Sequence, residues 1–280
     1  MVETPSGKQA GDENFPVGSC LLPAHLRPHV ATYYAYARAI DDIADNPGLT
    51  PDDKIARLDQ FEKILRGEDA ADEGLDKARA VRASMVAMGV DLQHGIDLVT
   101  AFKQDAVKLR YETWDELIHY CLHSAAPVGR FLIDLHGESK ETYPASDALC
   151  NALQVLNHLQ DCQDDFHALD RVYLPLDWMR EAGVTVDALD NLAANTALRQ
   201  VIDRCLDATE ALLDTARALP PGIRNTRFAM EAATILRIAE RLVIELRQRD
   251  PLAERVVLSK PHYLRCGVSG IWAALRRKPA

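Results

Sequence analysis

With 280 residues, 48% of them hydrophobic and 26% charged, the chain has an ordinary globular composition that excludes a disordered or fibrous protein and allows one or at most two domains. A net charge of −10 argues against general nucleic-acid binding, and no apolar run reaches membrane-spanning length. The six cysteines are scattered without a C-x-x-C pair, so buried free thiols are expected in a cytoplasmic protein.

Residues 1–14, MVETPSGKQAGDEN, lack the basic start and apolar stretch of a signal peptide and read as a flexible polar leader; residues 15–280 form the expected domain. From there apolar residues recur at three- and four-residue spacing, as in LDQFEKILRG, GIDLVTAFKQDAVKLR, ALRQVIDRCLDATEALLDTARAL and RFAMEAATILRIAERLVIELRQR, while strand-like alternation is nearly absent. Pro, Gly and polar clusters predict breaks at 45–51, 66–74, 137–146, 173–185 and 219–222. About eight to ten helices are therefore expected, in an all-α single-domain fold. Pro127, inside YCLHSAAPVGRFL, should bend its helix because it removes a backbone hydrogen bond and crowds the preceding turn. The end of the chain differs in charge: from Arg241 onward nine Lys/Arg meet three acids, which leaves the remainder at −16. With Leu264, Ile271, Trp272 and Leu275 among those bases, the end reads either as a face for anionic lipid or as a packed last helix with a solvated tail.

Two clusters of aspartate interrupt otherwise apolar helical stretches. AYARAIDDIADNPG places Asp41, Asp42 and Asp45 after YYAYARAI, and LNHLQDCQDDFHALDRVYLP places Asp161, Asp164 and Asp165 after LCNALQVLNHLQ. Residues four apart share a helix face, so Asp41 pairs with Asp45 and Asp161 with Asp165. Solvated helix faces would explain either cluster alone. Partly buried carboxylates, however, need a positive partner, and Mg²⁺ takes one or two carboxylates together with substrate phosphates. Two such helices could hold a diphosphate through Mg²⁺ and pull electron density from its leaving oxygen.

The same segments resemble the squalene/phytoene synthase family of all-helical prenyltransferases, whose two D-x-x-x-D motifs face each other across a deep apolar cavity. The matching residues are Asp41 and Asp45 in RAIDDIAD, and Asp161 and Asp165 in NHLQDCQDD, with further family-like segments in YCLHSAAPVG and DRVYLP. The resemblance implies an isoprenoid synthase helical fold around a central cavity and those four aspartates as Mg²⁺ ligands. It also implies that Asp41, Asp161 and the proton-handling Tyr120 serve catalysis. Arg38 and Arg171 are expected on phosphate oxygens, although each could equally be an ordinary salt bridge to its neighbouring aspartates. Asn157 is either a metal or water ligand or a polar residue on a helix face, and Tyr173 and Tyr34 are further substrate-binding candidates.

Within the family, NFPVGSCLLPAHLRPHV, SAAPVGR and NHLQD are most similar to the bacterial hydroxysqualene-forming branch of hopanoid biosynthesis. Full two-substrate synthases carry serines in the entry segment and an arginine before the second-motif aspartate, where this chain has Asp12, Asn14 and Gln160. That loss implies one diphosphate rather than two. The expected reaction is ionisation of presqualene diphosphate, rearrangement and capture by water, without hydride. A sister synthase would supply the substrate and a downstream oxidoreductase would take the product. The alternatives are squalene- or phytoene-synthase-type head-to-head condensation of two prenyl diphosphates and a non-catalytic prenyl-diphosphate-binding partner. A di-iron bundle is the competing metal chemistry, since Glu116 and His119 have the Glu-x-x-His spacing; its second copy is missing. His158 and Cys162, four apart, lack further ligands.

Overall fold

The computed structural model describes residues 2, 21–68 and 74–276, so the leader apart from Val2, the entry segment through Cys20, residues 69–73 of the predicted break at 66–74 and the last four residues lie outside the described part. The chain divides into two compact helical units, Met1–Lys108 with His123–Lys140, and Leu109–Leu122 with Glu141–Ala280. No strand occurs among the described residues, apart from one isolated bridge between Arg110 and Val172.

The first unit contains α1 (Arg27–Ala44), α2 (Pro51–Arg66), α3 (Asp76–Met88) and α4 (Gln93–Asp105). Local chemistry sets the boundaries. The Thr50 hydroxyl accepts from the Asp53 N–H at 3.2 Å, Pro51 opens α2 without wasting a donor, and Gly67 closes it in the left-handed conformation at φ +83°. The buried face of α1 carries Tyr33, Tyr36, Ile40 and Ile43. Tyr36 donates to the Gly95 carbonyl at 2.8 Å, and Leu65 approaches so closely that a Cβ at Gly95 would meet its Cδ1 at 3.0 Å. Tyr33 stacks on Phe131 at 3.9 Å between ring centroids.

The segment expected to be one bent helix is two: α5 (Trp114–Ser124) stops, and α6 (Ala126–Leu135) starts afresh with Pro127 in its first turn. Ala125, at φ −121° and ψ −47°, is the break. A proline in the first turn costs no helical hydrogen bond, so termination and restart replace the bend.

The second unit continues with α7 (Tyr143–Gln160), α8 (Cys162–Leu169), α9 (Leu176–Ala182), α10 (Thr196–Ala216), α11 (Leu219–Gly222), α12 (Thr226–Gln248) and α13 (Lys260–Arg276). Thirteen α-helical segments are thus present among the described residues, more than the eight to ten expected. The excess comes from short pieces inside predicted breaks: α9 lies in YLPLDWMREAGVT, and LPPG is itself the single turn α11. α7, α10 and α12 pack on one another, Leu156, Ile202, Leu206 and Leu242 on them are essentially inaccessible, and α13 lies along α12. Four of the cysteines are buried as expected; the Cys162 thiol is pushed up to about 12, chiefly by burial.

α13 meets α12 through small residues, Cys266, Gly270 and Ala274, one turn apart. A Cβ on Gly270 would lie 2.6 Å from both the Cα and the N of Thr234, which are backbone atoms that cannot yield. Gly270→Ala should therefore destabilise the protein by about 1–3 kcal/mol in urea unfolding, against the gain of roughly 1 kcal/mol that alanine brings to a helix interior. Unchanged or increased stability would contradict so close a helix contact.

Candidate active site

In the first unit, Tyr34, Arg38, Asp41 and Asp45 occupy successive turns of one face of α1, and all four are half-buried while Tyr33, Tyr36, Ile40 and Ile43 face the core. Arg38 binds Asp41 at 2.7 Å and Asp42 at 3.3 Å. Asp42 is the buried member of the trio; Asp41 shares the same guanidinium but keeps about a quarter of its side chain exposed. Asp45 is the C-cap of α1, its N–H donating to the Asp41 carbonyl at 2.9 Å. Three carboxylates thus crowd the negative end of an 18-residue helix. Lys54 of α2 partly offsets them by donating to the Ala44 carbonyl at 2.7 Å.

In the second unit, the second cluster does not lie on one continuous helix. Asp161, at φ −108° and ψ 11°, is the junction between α7 and α8. The spacing nevertheless survives, because the Asp161 N–H reaches the Asn157 carbonyl at 3.0 Å and the Asp165 N–H reaches the Asp161 carbonyl at 2.8 Å. Asn157, Asp161 and Asp165 form a half-buried row, whereas Asp164 is exposed. α8 then ends at Asp170, a non-glycine residue at φ +52° held by Arg110, which binds both its carbonyl and its carboxylate. This left-handed turn folds the chain back so that the Arg171 N–H donates to the Asp165 carbonyl at 3.2 Å, and it buries the Arg171 side chain.

Tyr120 and Tyr173 join this second group. Their rings lie 5.9 Å apart, both buried, with Tyr111 5.3 Å from Tyr120. His158 stacks on Tyr173 at 3.5 Å and places its Nδ1 3.9 Å from Asp165 Oδ2. His158 therefore belongs to the aromatic wall beside the aspartates rather than to a metal pair with Cys162. Among the described residues, no three His, Cys, Asp or Glu side chains converge as a ready-made metal cage. The di-iron reading has no such geometry either: His119 is exposed, and the Glu116 carboxylate accepts the Glu112 N–H at the start of α5.

Arg255 is the residue that sequence reasoning missed as part of the site. Its guanidinium forks Asp161, at 2.8 Å to Oδ1 and 3.2 Å to Oδ2. Gln160 explains how it gets there: this buried amide donates to the Val256 carbonyl and ties down the segment that carries Arg255. Arg255 reaches Asp161 from 94 residues further along the chain, a contact with no local signal in sequence. Burial pushes the Asp161 carboxyl above its usual range, the Arg255 fork pulls it back, and Asp165 and Asp164 add repulsion.

A model of squalene/phytoene synthases matches residues 8–262. The chain belongs to the squalene/phytoene synthase family. A Rhodopseudomonas palustris protein named hydroxysqualene synthase is 44% identical over 256 residues, which are 91% of this chain and 87% of its own. The protein of that name from Zymomonas mobilis is 41% identical, over 97% of this chain and 90% of its own. Among solved structures, the squalene synthase HpnC of Alicyclobacillus acidocaldarius superposes with a TM-score of 0.72 at 31% identity, over 83% of this chain and 87% of that one. A dehydrosqualene synthase in complex with ligand gives a TM-score of 0.80 at 21% identity, over 95% and 92%, a likeness of fold. The all-helical fold expected from sequence is the fold of these synthases, and the family processes prenyl diphosphates, generally with a divalent metal.

The donor set fits such an ion. Mg²⁺ asks for one or two hard oxygens from the protein and completes its shell with phosphate and water. Half-buried Asp41 and Asp45, and Asp161 with the neighbouring Asp165, offer carboxylates already crowded by like charge. In the protein free of metal, Asp161 is thus a liability whose cost Arg255 limits. Asp161→Asn should raise the melting temperature of the metal-free protein at neutral pH, and Arg255→Gln should lower it, each by the equivalent of about 1 kcal/mol. Shifts of the same sign in both variants would contradict this balance.

Proposed function

We propose that this chain converts presqualene diphosphate to hydroxysqualene and diphosphate. The observation that carries the reading is 41–44% identity, over at least nine-tenths of the chain, to proteins named hydroxysqualene synthase. In this reading the carboxylate rows on α1 and at the α7–α8 junction are the groups that serve the diphosphate. Mg²⁺, when bound by Asp41, Asp45, Asp161 and Asp165, supplies the Lewis-acid pull on the leaving oxygen. Arg38 and Arg171 fork phosphate oxygens, Asn157 orients a water, and Tyr120 handles the proton lost when water captures the rearranged cation. Tyr34 and Tyr173 pack against the isoprenoid and keep bulk water from it until rearrangement is complete. No hydride donor is needed.

The chemistry on either side follows. Presqualene diphosphate must be assembled from two farnesyl units by a sister synthase, and the alcohol product must be consumed by an oxidoreductase. Both are lipids, so the enzyme works in the cytoplasm with peripheral contact at the membrane surface, and no nucleic acid takes part. Arg255 is the one observation that favours the other reading, condensation of two farnesyl diphosphates, because it restores beside Asp161 the cation that Gln160 lacks.

Asp41→Asn or Asp161→Asn should lower turnover by about a hundredfold or more while the helical circular-dichroism spectrum persists, because each removes charge from the diphosphate clamp. Near-normal turnover at saturating Mg²⁺ would sink the assignment. In ¹⁸O-labelled water, presqualene diphosphate should give labelled hydroxysqualene whether or not NADPH is present. Squalene as the main product with NADPH, or an efficient C30 product from farnesyl diphosphate alone, would instead establish the two-substrate reading.

A further inference from the structure

α13 is packed inside out. Its inner face consists of the small residues Cys266, Gly270 and Ala274, whereas Leu264, Val268, Trp272 and Leu275 are 70%, 63%, 55% and 60% exposed. Those four fall at i, i+4, i+8 and i+11, a single apolar stripe along the outer face of the helix. Leaving four large side chains in water on one face is unfavourable unless something covers them.

The charges beside the stripe select what that is. α13 contains no acidic residue. Lys260 flanks one side of the stripe, while Arg265 and Arg276 flank the other, and these three make no ion pair with a carboxylate among the described residues. Arg276 instead lies over the Trp272 ring at 3.5 Å. This contrasts with the adjoining face of α12, where Arg237 pairs with Glu240 and Arg241 with Glu245. A shallow groove between the two helices brings Arg237, Arg241, His262 and Arg265, with the single acid Glu240, next to the apolar stripe. The sequence then continues with Arg277 and Lys278.

We propose that the outer face of α13 docks on an anionic phospholipid surface, with Leu264, Val268, Trp272 and Leu275 entering the acyl boundary and Lys260, Arg265 and Arg276 reaching the headgroup phosphates. An apolar arc flanked by bases that lack carboxylate partners is the pattern of a helix lying in the plane of a membrane interface. A second copy of the chain fits less well, since a two-fold contact through this face sets its unpaired bases against one another. The contact stands on the residues of α13; only its purpose, release of a water-insoluble product, rests on the proposed function.

Flotation of the full chain with phosphatidylcholine vesicles, with and without phosphatidylglycerol, tests the docking. The wild type should float only with the anionic vesicles, lose that binding as salt rises, and show a blue shift of tryptophan emission that Trp272→Phe removes. Leu264→Ser combined with Trp272→Ser, and separately Arg265→Glu combined with Arg276→Glu, should each weaken binding by about tenfold or more. All these positions are exposed, so the variants should melt like the wild type and turn over detergent-dispersed presqualene diphosphate equally well. Flotation on neither vesicle, equal flotation on both, or a dimer in sedimentation that Trp272→Ser dissolves would overturn the proposal. If flotation behaves as expected while the wild type turns over no substrate in detergent, the catalytic reading fails and the lipid contact stands.

Discussion

Negative charge placed at the wrong end of a helix is the constraint to which the local structure around both aspartate clusters responds. α1 and α7 each run for 18 residues and then present carboxylates where the backbone already offers unpaired carbonyls. Nothing in helix stability favours that arrangement at the end of α1, whereas Asp164 and Asp165 gain in part from standing in the first turn of α8. Each unit answers it with cations: Arg38 on α1 itself and Lys54 from α2 at its end, and Arg255 from far along the chain on Asp161. These contacts hold the carboxylates in place without satisfying them fully, since Asp161 remains harder to ionise than an ordinary aspartate. A site that must accept a divalent ion and a highly charged leaving group gains from such residual imbalance, because the incoming charges relieve repulsion already present.

The second unit shows how much backbone engineering this takes. An unbroken helix through Asp161 would continue the direction of α7. Instead the chain kinks at Asp161, runs one short helix, and reverses through the left-handed Asp170 under the grip of Arg110. The reversal brings Arg171 back beside Asp165 and sets Tyr173 against His158, with Tyr120 arriving from α5. A positive φ at a residue other than glycine is costly, and here it is located where the candidate site residues of this unit converge.

What could be read from sequence followed from local periodicity. The helical class, the two D-x-x-x-D rows and the arginines beside them are all expressed within a few turns, so Tyr34, Arg38, Asp41 and Asp45 could be placed on one face before any coordinates. Pro127 was legible as a disruption, but whether a proline bends a helix or opens a new one depends on the conformation of Ala125, which composition does not encode. Arg255 was counted only as part of a basic end. Its role depends on Gln160 holding the Val256 carbonyl, a contact across 96 residues. The aromatic stack of His158 on Tyr173 was hidden for the same reason. The basic end could be read as a lipid-facing surface or as a packed last helix; which side chains of α13 are exposed follows from Cys266, Gly270 and Ala274 taking its inner face.

The central claim is that the two carboxylate rows exist to hold a metal–diphosphate pair, and binding measured without turnover tests it most directly. Titration of the protein with Mn²⁺, followed by loss of the free-ion electron paramagnetic resonance signal, should show weak binding alone and much tighter binding when inorganic diphosphate is present, with Asp41→Asn and Asp161→Asn each abolishing the gain. Mn²⁺ binding that is indifferent to diphosphate, or a gain that survives either substitution, would contradict the account.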